Sequence, residues 1–184
     1  MTADGWSSVA DVCALLDIDR TTLSRAVEHN DKSRLQLAGD RIRAGQGHSH
    51  TGMPVTPDAL ERSWQKVEPD RLLWHGTTVA AVEGIARTGL EPGRRTHVHL
   101  APEADSHVGR RSAVDLLLGI DPARLKQGNV EVFQAPNGVL LARHVPVSCI
   151  TRVESASKAG AEALERVRRA LLGDAVHRVG WSGR

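Results

Sequence analysis

The sequence predicts an α+β protein, with a small helical N-terminal unit ending in a hairpin and a strand-rich lobe after it. Three observations point there. Apolar residues recur at helical spacing through the first thirty residues. The segment RLQLAGDRIRA then alternates apolar and polar residues around an Ala-Gly-Asp turn. From residue 71 onward, short apolar runs are separated by turns. The chain has 184 residues, 40% hydrophobic and 25% charged, an ordinary globular balance with room for one domain or two small ones.

Each element follows in order. Val9, Val12, Cys13, Leu15 and Leu16 are spaced for one helix face, with Ser8 as its cap. A second helix is expected from near Thr21, carrying Leu23, Ala26 and Val27. Two helices followed by a hairpin give residues 1–52 a winged-helix-like outline. Such units often bind DNA, yet TTLSRAVEHN is close to neutral and supplies no basic recognition helix. Residues 53–70 hold three prolines and are expected to be a linker with a short helix. RLLW then reads as a buried strand running into HGTT, and VAAVEGIARTG as a helix ending at Gly89. The runs THVHLA, VDLLLGID, VEVFQAPNGVLLA and HVPVSCITRV complete a β-rich lobe over residues 71–154. Residues 155–184, through AEALERVRRALLG, predict an extra amphipathic helix with its arginines on a solvated face.

Composition excludes several functions. With four Trp, one Phe and no Tyr, the core must be aliphatic, and a multi-ring stacking platform for single-stranded nucleic acid is not available. No apolar stretch approaches the 18 residues of a membrane span, so no membrane association is expected. MTADGWSSVADVC has neither the basic nor the apolar region of a secretory signal. Cys13 and Cys149 stand far apart without a CxxC spacing, and a cytoplasmic, reducing compartment is the default. Residues 1–92 carry 10 Lys/Arg against 13 Asp/Glu, a net of −3; residues 93–184 carry 14 against 9, a net of +5. That imbalance suits a local anion site better than a whole-protein polyanion surface. The phosphate-loop, dinucleotide-fold, nucleophile-elbow and zinc-protease motifs are all missing from the sequence.

What remains is arginine and histidine. Five of the nine histidines fall in GQGHSH, WHGTT and RTHVHL. In RIRAGQGHSH, Arg43 precedes a glycine-rich bend and His48, a combination suited to a doubly charged anion. In LLWHGTT a strand is expected to end as a helix begins, leaving the Gly76 and Thr77 amides unpaired beside His75. Alternation in RTHVHLA sends Arg95, His97 and His99 to one face of a strand. His-x-His is a metal-ligand spacing, but Arg95 on the same face would repel a cation and no carboxylate completes the set. An anion or nucleotide fits the local charge, and no metal is expected. SHVGRRSA adds Arg110 and Arg111, and APNGVLLA a turn at Asn137-Gly138.

Taken in order, IRAGQGHSH, WHGT, RTHVHLA, VGRR and APNGVLLARHVP resemble the tRNA/RNA 2'-phosphotransferase family, over roughly four-fifths of the chain from Asp4 to Val153. The resemblance implies an N-terminal winged-helix lobe that binds RNA and a C-terminal ADP-ribosyltransferase-like lobe that binds NAD, consumed as a co-substrate. It implies removal of an internal RNA 2'-phosphate, giving RNA 2'-hydroxyl, nicotinamide and ADP-ribose 1'',2''-cyclic phosphate. Carried over position by position, Arg43, His75 and Arg95 form the expected catalytic set, and Arg43, His48 and Arg95 hold the RNA phosphate. His75, Gly76, Thr77, His97, His99, Leu100, Ala101, Arg111, Asn137 and Gly138 are expected on the NAD side. The family's Leu-Arg-His helix, upstream of the DGW segment, has no counterpart before Asp4: either the start is misplaced or trimmed, or the pair is lacking, and in the second case a weakened second step is expected. Two alternatives stay open: ADP-ribosylation of terminal nucleic-acid phosphates, and a non-catalytic winged-helix module. A monomer is the default expectation.

Overall fold

A computed structural model of the chain describes residues 1–30, 33–49, 52–105 and 114–173. It is a mixed α and β protein built on three antiparallel sheets. In the first, strands β1 (Ser7–Ser8) and β2 (Leu35–Ala38) flank β3 (Arg41–Ala44). Two helices cover it, α1 (Val9–Leu16) and α2 (Arg20–Glu28). Their starts are set by side-chain caps: Ser8 accepts from the Asp11 amide and Asp19 from that of Thr22. Val9, Leu23 and Ile42 form the small core between these helices and the sheet. The five-residue apolar face expected of α1 is only partly used. Val9 is buried, whereas Leu15 is 84% exposed, because α1 ends at Leu16 as Asp17 turns left-handed, φ 52°.

The segment expected to be a linker is more structured than its prolines suggested. Thr56 caps α3 (Pro57–Arg62), and β4 (Gln65–Val67) follows. Strand β4 forms the edge of a four-stranded sheet, in the order β4, β8 (Val132–Gln134), β9 (Leu140–Ala142), β6 (Val98–Leu100). Val55, Leu60 and Trp64 bury against Phe133 and Leu141 of that sheet.

The third sheet orders β10 (Ile150–Ser155), β7 (Leu116–Ile120) and β5 (Leu73–Thr77). It packs with α4 (Val82–Thr88) and α6 (Lys158–Leu172) into the main core, which includes Leu118, Ile120, Ile85, Val153 and Val167. Helix α5 (Pro122–Gln127) follows β7, capped by Asp121. Expected from sequence as an appendage, α6 instead buries Ala163, Val167 and Leu171 in this core. Asp115 ties its start down, accepting from the hydroxyl of the cap Ser157 at 2.8 Å. Among the described residues, no helix is long and apolar enough to cross a membrane.

Candidate active site

Strand β5 runs further than RLLW alone suggests. His75, Gly76 and Thr77 pair with Leu118, Leu117 and Leu116 of β7, so they lie in a strand rather than at a helix start. The expectation of helix-end amides at Gly76 and Thr77 is corrected accordingly. The polar residues are compatible with a strand because β5 is the sheet's edge. Trp74 exchanges both of its backbone hydrogen bonds with Ala101, each 2.8 Å. Strand alternation then turns the N–H and C=O of Gly76, two residues on, toward the same outer edge. A side chain at residue 76 would place its Cβ 2.4 Å from Val114 Cγ1, so glycine keeps this edge in place.

Beyond that edge lies a cleft of about 150 Å³, bordered by His75, Gly76, Thr77, Arg95, His97 and His99. Its size suits a single ring with its substituent. The His75 Nδ1–H donates to the His99 carbonyl at 2.9 Å, which fixes the ring against the cleft wall. A larger cleft, about 550 Å³, lies between β4 and α5. Its lysines are spent on the ion pairs Lys66–Glu131 and Lys126–Glu68, and no histidine lines it.

His97 and His99 extend to the same side of β6, as alternation predicts, and both are buried. Each is held by a residue the sequence reading did not single out. His97, 1% exposed, places Nε2 3.0 Å from Glu61 Oε1 and meets the Trp64 ring edge-on at 4.9 Å. Glu61 in turn accepts from Arg143 at 2.6 and 2.5 Å, and Arg143 also pairs with Asp58. Burial pushes the Glu61 carboxyl up, but its hydrogen bonds to Arg143 and His97 outweigh this and hold it below its ordinary 4.5. His99 donates from Nε2 to Gln46 Oε1 at 2.7 Å. Burial first, then the charges of Arg95, His75 and His97, push His99 down to about 3, so the ring is neutral at pH 7. Arg95 lies ahead of β6 and brings Nη1 to 3.2 Å from Nδ1 and 3.5 Å from Nε2 of that ring.

On the N-terminal side, Arg43 is 7% exposed. Its Nε donates to Gln36 at 2.8 Å, and its Nη1 to the Ser63 hydroxyl at 2.8 Å and the Asp4 carbonyl at 3.2 Å. Its guanidinium lies 4.6 Å from the centre of the Trp6 ring. Nη2 is the guanidinium nitrogen left without a hydrogen bond among the described residues. His48 is buried nearby with no partner on Nδ1, and burial, then Arg43 and His97, holds it on the neutral side. Gly5 makes the room it needs: at φ +90°, a Cβ there would stand 2.6 Å from His48 Nε2.

The remaining expected residues are spread differently. Leu100 is wholly buried in the main core, and Ala101 is the bridge partner of Trp74. Asn137 and Gly138 form the turn between β8 and β9 and do not border this cleft. Arg111, with Arg110 and His50, lies outside the described residues. Gln46 sits inside the GQGH bend and was within reach of sequence reasoning. Glu61 was not, since nothing local pairs it with Arg143, 82 positions away.

A family model described as "RNA 2'-phosphotransferase, Tpt1 / KptA family" matches residues 1–144. A protein of Pseudomonas syringae pv. tomato, named "Probable RNA 2'-phosphotransferase", is 37% identical over 159 residues, covering 82% of this chain and 81% of the relative. Relatives of the same name are similar in Burkholderia lata, 34% identical over 164 residues (84% and 81%), and in Rhizobium leguminosarum bv. trifolii, 35% over 159 (82% and 82%).

Proposed function

The chain belongs to the RNA 2'-phosphotransferase, Tpt1 / KptA family, and from that premise we propose that it removes an internal RNA 2'-phosphate at the expense of NAD. In the first step a 2'-phosphate oxygen attacks C1'' of the nicotinamide ribose, and nicotinamide leaves with the electron pair of the broken C–N bond. In the second, the ribose 2''-hydroxyl attacks phosphorus and the RNA 2'-oxygen leaves, taking up a proton. The products are RNA 2'-hydroxyl and ADP-ribose 1'',2''-cyclic phosphate. Neither step, as written, calls for a metal ion.

The observation that carries this reading is the pairing of Gly76 and Arg95 across one small cleft. A strand edge that offers both an N–H and a C=O is complementary to a carboxamide, which both accepts and donates. That suits the nicotinamide end, with His75 at its ribose. Arg95 brings a guanidinium to the same space, where phosphate charge has to be held through both steps. Arg43 Nη2 and His48 form a second group turned to the RNA phosphate. His97 and His99 border the NAD side chiefly as its wall.

In this reading residues 1–52 are a winged-helix-like RNA-binding lobe and 71–154 an ADP-ribosyltransferase-like lobe, joined by 53–70. Residues 155–184 lie beyond the transferase lobe and brace it through α6. The enzyme works as a cytoplasmic monomer. Nicotinamide release tests it. Release that requires both NAD and an oligoribonucleotide with an internal 2'-phosphate supports the proposal; release with the 2'-hydroxyl oligonucleotide alone, or none at all, overturns it.

A further inference from the structure

The glycine-rich bend at residues 45–49 is joined to β6 and the segment before it at three points. Ser49 and Arg95 form an antiparallel bridge. The Thr96 amide donates to the His48 carbonyl at 3.0 Å. The third point is the side-chain bond from His99 Nε2 to Gln46 Oε1, 2.7 Å. We infer that Gln46, acting through His99, positions Arg95 for the transferred phosphate. Gln46 and His99 are thus positioning residues for a group that neither replaces. The inference rests on the reading of Arg95 as the phosphate-holding arginine.

Geometry carries it. Arg95 Nη1 is nearly equidistant from both nitrogens of His99, 3.2 and 3.5 Å. A hydrogen bond along one lone pair would leave the other ring nitrogen much farther away. The guanidinium therefore lies across the imidazole, a cation against a π face. Such a contact is attractive only while the ring is uncharged. It also needs a ring that does not rotate, and His99 is buried with Nε2 pinned by Gln46. Gly47, at φ +86°, lets the bend pass close beside the ring, where a Cβ would lie 3.9 Å from Nε2.

The groups facing His99 all favour the neutral form but one. Arg95, His75 and His97 oppose a positive charge there, and burial opposes it most. The His97 backbone works the other way, as a hydrogen-bond partner that favours protonation. Gln46 accepts the Nε2 proton without supplying a charge. A carboxylate in its place would draw a second proton onto the ring and set two cations face to face.

The test therefore compares Gln46→Glu and Gln46→Ala with the wild type from about pH 8 to about pH 5.5. The ratio of variant to wild-type kcat/KM cancels the titration of substrate. For Gln46→Glu this ratio should fall by about fourfold across that range, because a carboxylate at hydrogen-bond distance lifts His99 by about three pH units from its low value and leaves about a quarter of the rings neutral at pH 5.5. For Gln46→Ala it should be lowered by the same factor at every pH. Side-chain ¹⁵N shifts of His99 give a readout independent of turnover. They should show the Nε2–H neutral tautomer throughout in the wild type and a titration step in Gln46→Glu.

A pH-independent ratio in Gln46→Glu while His99 does titrate would overturn the inference. So would a wild-type His99 in the Nδ1–H tautomer. Should the wild type leave the 2'-phosphate in place, the proposed function fails and the positioning is judged on inorganic phosphate instead. Its binding, followed on the Arg95 side-chain resonances, should show the same pH-dependent ratio, and equal binding in wild type and Gln46→Glu at every pH would refute it.

Discussion

Arg43 and Arg95 both approach the bend at residues 45–49, but the protein holds them by different means. Arg43 is buried behind a wall of acceptors (Gln36, Ser63 and the Asp4 carbonyl) that fixes three of its hydrogen bonds before any ligand arrives. Arg95 is exposed, and its guanidinium lies over a neutral imidazole. The first arrangement costs desolvation and gains rigidity; the second leaves the residue exposed and steers its guanidinium by a ring whose charge state matters. In the proposed reading Arg43 serves the framework as well as the site, and the Arg95 side chain serves chiefly the site.

The widest separation between them should come from truncation. Arg43→Ala strands Gln36 and Ser63 and should lower stability by about 3 kcal/mol, as well as abolishing turnover. Arg43→Lys should not restore either, because an ammonium cannot reach the acceptors of a planar fork. Urea unfolding with a parallel nicotinamide assay reads both effects. Arg95→Ala should cost activity by about 10²-fold, while its unfolding free energy stays within about 0.5 kcal/mol of wild type. If the two variants lost stability equally, the contrast would not hold.

A smaller effect concerns the ring beneath Arg95. His99 has an ordinary value of 6.5 and is pushed down to about 3 in the folded protein. The folded state thus binds fewer protons than the unfolded one between those values, and stability drops as pH falls below 6.5. His99→Gln should remove that acid sensitivity, about 2 kcal/mol by about pH 5, seen as a flatter plot of unfolding free energy against pH. Smaller still is the effect at Glu61. Its folded value lies below 4.5, so its contribution is present above 4.5 and disappears as pH falls through the lowered value. Glu61→Gln should cost about 1 kcal/mol at pH 7, with the difference from wild type closing below about pH 4.

The same contrast marks what the sequence could disclose. The helices of the N-terminal unit were legible because their signals are local: Ser8 and Asp19 cap them, and Gly39, at φ +58°, turns the hairpin. Arg43, His75 and Arg95 stand out as candidates because they lie in polar clusters that an aliphatic chain has no need of for packing, and the structure brings His75 and Arg95 to one cleft. The run of β5 through Thr77 was misread because an edge strand beside a cleft carries polar residues, which look like the end of a strand. Strand β4 was missed because QKV has no apolar alternation; its place comes from pairing with β8. Glu61 escaped notice for a related reason, since its partners Arg143 and His97 come from other parts of the chain. Long-range pairings of this kind leave no periodicity to read.

The most direct measurement is the mass of the products after incubation with NAD and an oligoribonucleotide bearing one internal 2'-phosphate. The account predicts an RNA lighter by one phosphate, with a 2'-hydroxyl, together with nicotinamide and ADP-ribose cyclic phosphate. An RNA that keeps its phosphate and gains a lasting ADP-ribosyl group would contradict it, as would an unchanged RNA.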